Sequence, residues 1–524
     1  MKTKNQNHVL LIMIGIMASL LLSSMDSTVV STSMKKIIES LGGMDKYAWP
    51  FTMYILCSTI AIIICGGLAD IYGHKPLILG GVGIFLGGSM LCGISQSIIQ
   101  LIIFRGIQGI GGGMIVSCVF IIIADLFAPS ERGKYTGIVT SMYGLSSIIG
   151  PLAGGFITDH LGWRWVFYMN IPLGLAAFGL LLFSMPSFKT DSQSKTVDYP
   201  GIIVILLMLV PFLLAISMGG NEFAWNSLPS IGMFAFSAIM LILFIVIEGK
   251  SPNPILPLSF FKNRAVSGSF LIAFFSQVLL FSAVMYLPYF IQGIVGSTAT
   301  TSGLLVVPMM LGLLASSNTV GFVVSKSGKC RAYSIIAFLI MALGAYLLST
   351  MNLSTTYWQT ICFMVILGFG IGMSMPITNV NAQNATPKRQ IGSVTSAVMF
   401  FRNMGGTVGS AMLGAIMSNS LTHGFKQIDM QYIPSKIQNL LGNPQIISNS
   451  ATVAEIRSHV PTTYVSYFDT IYTQAKQVLV ASIHNVFLFS TCIAGIGIFC
   501  ALILKDASTT RVDIAVFQEN EKNN

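Results

Sequence analysis

Three charged side chains lie within long apolar stretches of this sequence: Asp26, Arg105 and Arg402. Among the 18 acidic residues, Asp26 alone falls well inside such a stretch. An uncompensated charge there costs at least about 2.5–3.5 kcal/mol on insertion scales, so a retained acid predicts a function or a neutralising partner. Burial favours the protonated acid and a neighbouring arginine favours the carboxylate, so a conformational change can load or release the proton.

Arg105 is the predicted partner of Asp26. At about 1.5 Å per residue, Asp26 lies about 25 Å from the inner face, and Arg105 lies about 10 Å from the outer face. In a hydrocarbon core about 30 Å thick, both residues lie in the outer half and can meet across a bundle. Two interpretations remain open: a permanent pair that only fixes packing, and an acid that alternates between protonated and ionised forms. In the second, Asp26→Asn abolishes proton coupling.

The elements that carry these charges are predicted to be transmembrane helices. The chain has 524 residues, of which 53% are hydrophobic and 9% are charged, whereas soluble proteins carry roughly 25% charged residues. We count fourteen apolar spans, and only helices satisfy the backbone of such long runs inside a bilayer. The sequence therefore predicts an all-α polytopic membrane protein and excludes a water-soluble globular domain.

Basic residues are distributed unevenly between the predicted loops. With both chain ends in the cytoplasm, 18 of the 28 lysines and arginines fall on the inner side and eight on the outer side. This asymmetry follows the positive-inside rule and explains the net charge of +10 without nucleic acid. The tryptophans then fall at outer span ends, where an aromatic belt is expected: Trp49, Trp163, Trp165, Trp225 and Trp358.

An internal repeat divides the chain. Span two is followed by Gly66, Asp70 and Gly73, and span ten is followed at the same spacing by Gly321, Ser325 and Gly328. Paired bundles around a central site are typical of secondary transporters. We therefore predict two six-helix bundles, at 1–185 and 250–505. A cytoplasmic linker and the inserted helices seven and eight lie between them at 186–249. The second bundle contains a long outer loop at 419–478, and a cytoplasmic tail follows at 506–524.

The first span, at 9–31, follows two lysines and ends in small residues, as a secretory signal peptide does. Thirteen further spans follow it, and it carries Asp26. We therefore expect it to be retained as the first helix.

Residue patterns for catalysis and for metal binding are missing from the sequence. The eight cysteines lie almost entirely within apolar spans and form no CxxC pair, which predicts small core residues without a disulfide. No Ser/His/Asp arrangement and no GxxxxGK[ST] loop occurs, which argues against an enzyme and against coupling to ATP. We expect no metal and no cofactor, with the proton as coupling ion.

Five motifs in the expected order resemble the major facilitator superfamily, and specifically its fourteen-helix drug–proton antiporter branch. They are an opening motif (Met25 to Val30), a gating motif (Gly66 to Lys75, with Asp70, Gly73 and His74), a proton-coupling motif (Arg105 to Gly109), an antiporter motif (Gly144 to Gly155, with Gly150, Pro151 and Gly154), and Trp163-Arg164-Trp165 with Asn170 and Pro172. The resemblance covers about the whole chain.

The resemblance implies the major facilitator fold, with two six-helix bundles plus two inserted helices. It also implies an antiporter that exports drugs or other small lipophilic molecules by alternating access, as a monomer in a bacterial plasma membrane. The alternative is a dedicated exporter of a metabolite, a lipid or a single antibiotic. The charge of the substrate is left open between cationic, neutral and zwitterionic.

The gating motif departs from the family pattern, because Ile71 and His74 stand where arginines are usual. The resemblance implies a cluster of charges at this gate, in which Asp125 is a partner. His74 can partly replace the missing arginine and make the gate sensitive to pH near neutrality. The alternative is a tolerated surface change.

Helix five is glycine-rich. Gly150, Gly154 and Gly155 predict close helix approach, and Pro151 removes one backbone hydrogen bond and predicts a kink. In the resembling family this element seals the outer side and accompanies export. A bulky Gly154→Leu substitution is therefore expected to block the conformational transition.

The predicted substrate cavity is lined by aromatic and polar residues, a mixture that suits a lipophilic or cationic guest. Ordinary helix packing is the alternative for each residue. Arg402 either binds backbone carbonyls or favours an anionic or zwitterionic substrate, and lone His484 is expected to be a hydrogen-bonded core residue. The candidate cavity residues are Gln277, Phe281, Tyr286, Asn379 and Arg402.

Overall fold

The computed structural model describes residues 2–42, 46, 49–186, 198–219, 223–294, 299–387, 390–428, 453, 457–458 and 465–507. Helices dominate these residues. Most of the predicted linker and tail, and the centre of the predicted outer loop, lie outside the described residues.

Fourteen helices of 15 residues or more can be followed in the described part of the chain. The first bundle contains α1 (Lys2–Leu41), α2 (Trp49–Tyr72), α3 (His74–Gly93), α4 (Ile98–Leu126), α5 (Arg132–His160) and α6 (Asn170–Ser184). The inserted pair is α7 (Tyr199–Met218) and α8 (Leu228–Glu248). The second bundle contains α9 (Arg264–Gly293), α10 (Ala299–Ser327), α11 (Cys330–Ser349), α12 (Tyr357–Asn384), α13 (Ile391–Phe425) and α14 (Val465–Ile503).

Twelve stretches of the described residues are long and apolar enough to cross a membrane. The two long helices without such a stretch are α5 and α13, of 29 and 35 residues. Their low hydropathy comes from glycine, serine and threonine, and Arg402 adds a charge to α13. These residues let backbones approach closely, which is how helices associate inside membranes.

The two bundles are built in the same way. Helix α1 packs against α4, α5 and α6, and α2 and α3 both pack against α4. In the second bundle α9 packs against α12, α13 and α14, and α10 and α11 both pack against α12. The turns after α2 and α10 each contain a glycine with positive φ, at Gly73 (81°) and Gly328 (66°), as the sequence repeat requires.

Both described chain ends lie at one end of the molecule, here called the termini end. The opposite end, here called the loop end, carries all five tryptophans. The inserted pair packs on itself and touches α2 and α13. Because α13 continues to Phe425 and α14 begins at Val465, the loop predicted at 419–478 is shorter than expected.

The bundles contact each other through α2 and α4 against α13, and through α5 against α10 and α12. The closest approaches pair Gly66 with Gly392 and Ser396, and Gly133 with Gly321. These residues lie at or near the termini end of their helices. The described conformation is therefore closed at the termini end.

Candidate functional site

The carboxylate of Asp26 lies inside the first bundle and is 1% exposed. Its Oδ2 accepts a hydrogen bond from Nη1 of Arg105, which is fully buried on α4. Its Oδ1 accepts from Nε2 of Gln108 at 2.7 Å and from Nδ2 of Asn170 at 3.1 Å. The pair expected from helical depth thus forms across the bundle, and helices α1, α4 and α6 meet at a single carboxylate.

A second layer of polar groups holds these donors in place. Ser89 on α3 accepts from Gln108 at 3.3 Å and from Asn170 at 3.0 Å, and it donates to the Phe167 carbonyl at 2.8 Å. The Arg105 guanidinium lies 4.3 Å from the ring centroid of Tyr54, a distance at which the face of an aromatic ring attracts a cation. The carboxylate site is therefore supported by side chains of α2, α3, α4 and α6.

Sequence reasoning did not assign a role to Gln108, Asn170 or Ser89. Gln108 follows Arg105 by three residues, a spacing that places both on one helix face. Asn170 stood within a motif used for the family resemblance. Neutral amides have no net charge to be balanced inside a membrane, so nothing in the sequence alone marked them as partners of Asp26.

In this arrangement a proton and the Arg105 guanidinium compete for the negative charge of Asp26. Oδ1 of Asp26 already accepts two amide hydrogen bonds, and Oδ2 accepts the one from Arg105. A proton that binds Oδ2 removes the negative charge that balances Arg105. Nε and Nη2 of Arg105 have no hydrogen-bond partner, so the guanidinium depends on this carboxylate for compensation. Protonation therefore breaks the ion pair that joins α1 to α4.

The gating motif forms a cluster at the termini end. Nε2 of His74 lies 2.6 Å from Oδ2 of Asp125, so the predicted partner of this gate is in place. Lys75 donates to the carbonyls of Leu182 and Met185 at 2.9 and 2.6 Å, which caps the end of α6. His74 and Lys75 thus tie α3 to α4 and α6 within one bundle.

Asp70 connects the gating motif to the second bundle. Its carboxylate accepts from the backbone N–H groups of Gly392 and Ser393, both at 3.0 Å, and from the Ser393 hydroxyl at 2.7 Å. These are the unsatisfied donors of the first turn of α13, where a negative charge is favoured by the helix dipole. Asp70 therefore acts as a helix cap supplied by the other bundle, and it holds the termini end closed.

The antiporter motif packs in two different directions. Gly150 and Gly154 lie against α1, where a Cβ on Gly154 would be 2.9 Å from the Val29 carbonyl oxygen. Gly144 lies against Leu314 on α10. Gly155 has no neighbour within 4 Å of its Cβ position in the described residues, so the expected close approach does not include it. Pro151 lies within a continuous α5.

The glycines of α5 that approach the other bundle most closely lie before this motif. A Cβ on Gly137 would be 2.7 Å from the carbonyl oxygen of Ser317, and a Cβ on Gly133 would be closer still to the carbonyl oxygen of Gly321. The four-residue spacing of Gly133 and Gly137 is a small-xxx-small pattern that sequence reasoning passed over. The contact of α5 with the other bundle is thus at the termini end in this conformation. Gly154 makes the expected close helix approach, but to α1 of its own bundle, and the effect of Gly154→Leu on the conformational transition stays a prediction.

The residues predicted to line a cavity differ in their burial and in the helices that they contact. Tyr286 is 4% exposed and packs among buried side chains, with its hydroxyl oxygen 3.7 Å from the Cβ position of Gly414. Phe281 lies against Gly406 of α13. Both therefore serve helix packing between α9 and α13. Gln277 is half-buried, and the fully buried Asn379 donates to the Met375 carbonyl at 3.2 Å.

Arg402 is the charged group of the second bundle at mid-depth, and it is 6% exposed. Its Nη2 donates to the Thr378 hydroxyl at 2.9 Å and to the Met375 carbonyl at 3.5 Å, and its Nη1 reaches the Met399 sulfur at 3.3 Å. Its Nε has no partner, and no carboxylate of the described residues forms an ion pair with it. The guanidinium is therefore held by neutral groups alone.

Two acids outside the centre of the spans are also buried. Glu248, the last residue of α8, is 2% exposed and accepts from the Leu256 N–H at 2.5 Å. Asp198 caps α7 by accepting from the Gly201 N–H at 2.8 Å. Oε2 of Glu248 and Oδ2 of Asp198 have no partner and both face Gly201. Sequence reasoning found no buried acid except Asp26, because these two lie at helix ends.

The remaining candidates behave as packing residues. The eight cysteines are free, and Cys65 and Cys118 approach to 3.5 Å between their sulfurs. His484 is hydrogen-bonded to the Ser349 carbonyl at 2.6 Å, but it lies on the surface of the bundle and not in the core. The described residues contain no group of three or more His, Cys, Asp or Glu side chains that could hold a metal ion.

Comparison with known proteins agrees with this architecture. The chain is 36% identical to the Multidrug transporter protein MdtP of Bacillus subtilis (strain 168), over 99% of this chain and 97% of that protein. It is 35% identical to Multidrug resistance protein 3 of the same organism, over 93% of each. The human organic anion transporter MFSD10 (TETRAN) has the same fold, with a TM-score of 0.58 at 13% identity, over 92% of this chain and 99% of that one.

The proton:xylose symporter XylE also shares the fold, with a TM-score of 0.58 at 15% identity, over 87% of this chain and 97% of that one. A family model described as Major Facilitator Superfamily matches residues 16–410. That match covers the first bundle, the inserted pair and most of the second bundle. The expected fold class, an all-α polytopic membrane protein with the major facilitator fold, is confirmed, and the chain belongs to the Major Facilitator Superfamily.

Proposed function

We propose that this protein is a proton-coupled efflux antiporter that exports small lipophilic molecules by alternating access of its two bundles. The observation that carries the proposal is the buried carboxylate of Asp26, whose negative charge balances Arg105 and is lost when the acid takes up a proton. The names of the two Bacillus relatives support drug-like substrates. Each chain contains both bundles, so a monomer suffices, and no cofactor is required.

Coupling follows from this change of charge at Asp26. With Asp26 ionised, α1 and α4 are joined by an ion pair; with Asp26 protonated, the ion pair is lost and Arg105 is left without a counter-charge. A group that binds its proton in only one of two conformations converts a pH gradient into a bias between them. Protonation from outside releases the substrate, and deprotonation toward the cytoplasm resets the site.

We place fourteen helices across the membrane, with both chain ends in the cytoplasm. At about 1.5 Å per residue, α5 and α13 exceed a hydrocarbon core about 30 Å thick, although neither is apolar enough to be recognised by composition. The excess of lysine and arginine in loops at the termini end supports this orientation. The described conformation, closed at the termini end, is then the one that faces outward.

The decisive experiment is transport by purified protein in proteoliposomes under an imposed pH gradient. The wild type is expected to drive uphill export of a lipophilic probe, and Asp26→Asn is expected to lose the gradient-driven component. Asparagine keeps an oxygen that accepts hydrogen bonds and removes the ionisable group, but it leaves Arg105 without its counter-charge, so folding of the variant is checked first by its melting temperature. Ser89→Ala is the matched control, because it perturbs the same network without removing the acid. Full coupled transport by Asp26→Asn would overturn the proposal.

A substrate panel separates multidrug export from a dedicated exporter of a metabolite, a lipid or a single antibiotic. Structurally unrelated probes exported at comparable rates would favour the multidrug interpretation. A single transported chemical class would favour the dedicated exporter, and it would leave the role of Asp26 unchanged.

A further inference from the structure

The buried charges of the two bundles do not balance. In the first bundle the charge of Arg105 is compensated by Asp26. In the second bundle Arg402 lies at mid-depth, 6% exposed, without a carboxylate partner among the described residues. An intramembrane cation held only by neutral groups retains most of its cost of desolvation, and charges of this kind mark substrate or ion pathways.

Arg402 also lies where a substrate can be contacted by both bundles. Its guanidinium interacts electrostatically with Tyr143 on α5, which belongs to the other bundle. Tyr143 precedes Gly144, which packs against Leu314 of α10. Arg402 therefore interacts across the boundary between the bundles, and this interaction changes when the bundles rock.

The donors of Arg402 are incompletely used. A guanidinium has five N–H groups, and a planar acid can take two of them side by side. Here a hydroxyl, a carbonyl and a thioether take the contacts of Nη1 and Nη2, and Nε remains buried without an acceptor. A thioether is a weak acceptor that a carboxylate or sulfonate oxygen readily replaces.

From these contacts we infer that Arg402 binds the acidic group of a substrate, so that the transported molecules include amphiphiles carrying a carboxylate or sulfonate. This inference rests on the proposed export function and names its substrate class. The anionic group of the molecule accepts from Nε of Arg402 and replaces the Met399 thioether at Nη1. A monoanion at this position neutralises a buried charge that no carboxylate of the described residues compensates.

The test is equilibrium binding of two matched fluorescent probes, a naphthalene sulfonate and its uncharged sulfonamide, to purified protein. The wild type is expected to bind the sulfonate at least about tenfold more tightly. Arg402→Gln is expected to reduce this preference to less than about twofold while its affinity for the sulfonamide is retained. Arg402→Lys keeps the charge and is expected to retain part of the preference. The exposed Arg331 provides the control: Arg331→Gln is expected to leave the preference unchanged.

Two results would overturn the inference. One is a wild type that binds the sulfonate no more tightly than the sulfonamide, which needs no variant and is decisive even if Arg402→Gln fails to fold. The other is an equal loss of affinity for both probes in a folded Arg402→Gln protein, which would indicate that Arg402 has only a packing role. Failure of this inference is distinguished from failure of the proposed antiport by a transport assay. If the wild type exports the sulfonamide when a pH gradient is imposed, the proposed antiport stands even though the inference fails. If the wild type exports none of the probes in the substrate panel, the antiport itself is contradicted.

Discussion

The two six-helix bundles repeat one framework but use their buried arginines differently. Arg105 in the first bundle has a carboxylate, a supporting amide and an aromatic ring around it. Arg402 in the second bundle has a hydroxyl, a carbonyl and a thioether. The charge of the first arginine is balanced by an anion, whereas the second has a charge that no described residue compensates.

The same asymmetry occurs at the closed termini end. Gly66 of α2 meets α13, and its repeat equivalent Gly321 of α10 meets α5. Asp70 caps α13 across the first contact, whereas Ser325, at the equivalent position, donates to the Gly321 carbonyl of its own helix at 2.7 Å. The repeat therefore gives both bundles the same helix packing, whereas the ionisable residues of the gate and of the buried ion pair, Asp70 and Asp26, belong to the first bundle.

The largest expected effect is on the paired arginine. Arg105→Gln leaves Asp26 buried without a cation, and breaking a buried pair in this way costs about 3–5 kcal/mol. We expect a strongly lowered melting temperature and loss of coupled export. The double variant Asp26→Asn with Arg105→Gln removes both charges and is expected to regain most of the stability without regaining coupling. Additive losses in the double variant would contradict the pairing.

Two glycines of α5 allow the contact between the bundles to be tested separately from helix packing within the first bundle. A methyl group at Gly137 meets the backbone of α10, and one at Gly154 meets the backbone of α1. Overpacking of this kind costs about 1–3 kcal/mol. Gly137→Ala is expected to open the termini end, seen as a longer distance between spin labels on α3 and α11 in a cysteine-free background. Gly154→Ala is expected to lower the melting temperature without that change in distance, and equal opening by both variants would refute the division.

The caps at the termini end give an intermediate effect. Asp70→Ala removes the cap of α13, and loss of a cap costs about 0.5–2 kcal/mol. We expect a larger open population by the same spin-label distance, with Ser325→Ala as the matched control in the other repeat. Equal shifts in the two variants would show that the first bundle has no special role at this gate.

The smallest expected effect on stability is at the unpaired arginine. Arg402→Gln removes a charge that no carboxylate of the described residues balances, so we expect the melting temperature to stay within a few degrees of wild type or to rise. Arg105→Gln in the same assay is the contrast. A collapse in stability as large as that of Arg105→Gln would show that Arg402 is structurally paired, and it would remove the difference between the bundles.

The sequence predicted the features that carry a large energetic cost. Asp26 and Arg105 were paired from their depths alone, because a buried charge has few partners to choose from. Gln108 and Asn170 were not assigned, because amides can be satisfied in many ways. Tyr286 and Phe281 were expected at a cavity, but helix periodicity does not say which face meets α13.

Composition also obscured some boundaries. The polar ends of α13 and α14 were read as loop, because the first turns beyond an apolar span look like solvent-exposed chain until their packing is known. Asp198 and Glu248 lie at helix ends, where sequence reasoning assumes water, and only the fold shows that the inserted pair and the segment at Leu256 cover them.

The most direct test of the central claim is proton release on substrate binding. Purified protein in a weakly buffered solution is mixed with its best-bound probe, and the change in pH is recorded. If Asp26 exchanges its proton for substrate, the wild type releases protons and Asp26→Asn releases none, while Arg402→Lys still releases them. Equal release by wild type and Asp26→Asn would show that the coupling proton is held elsewhere.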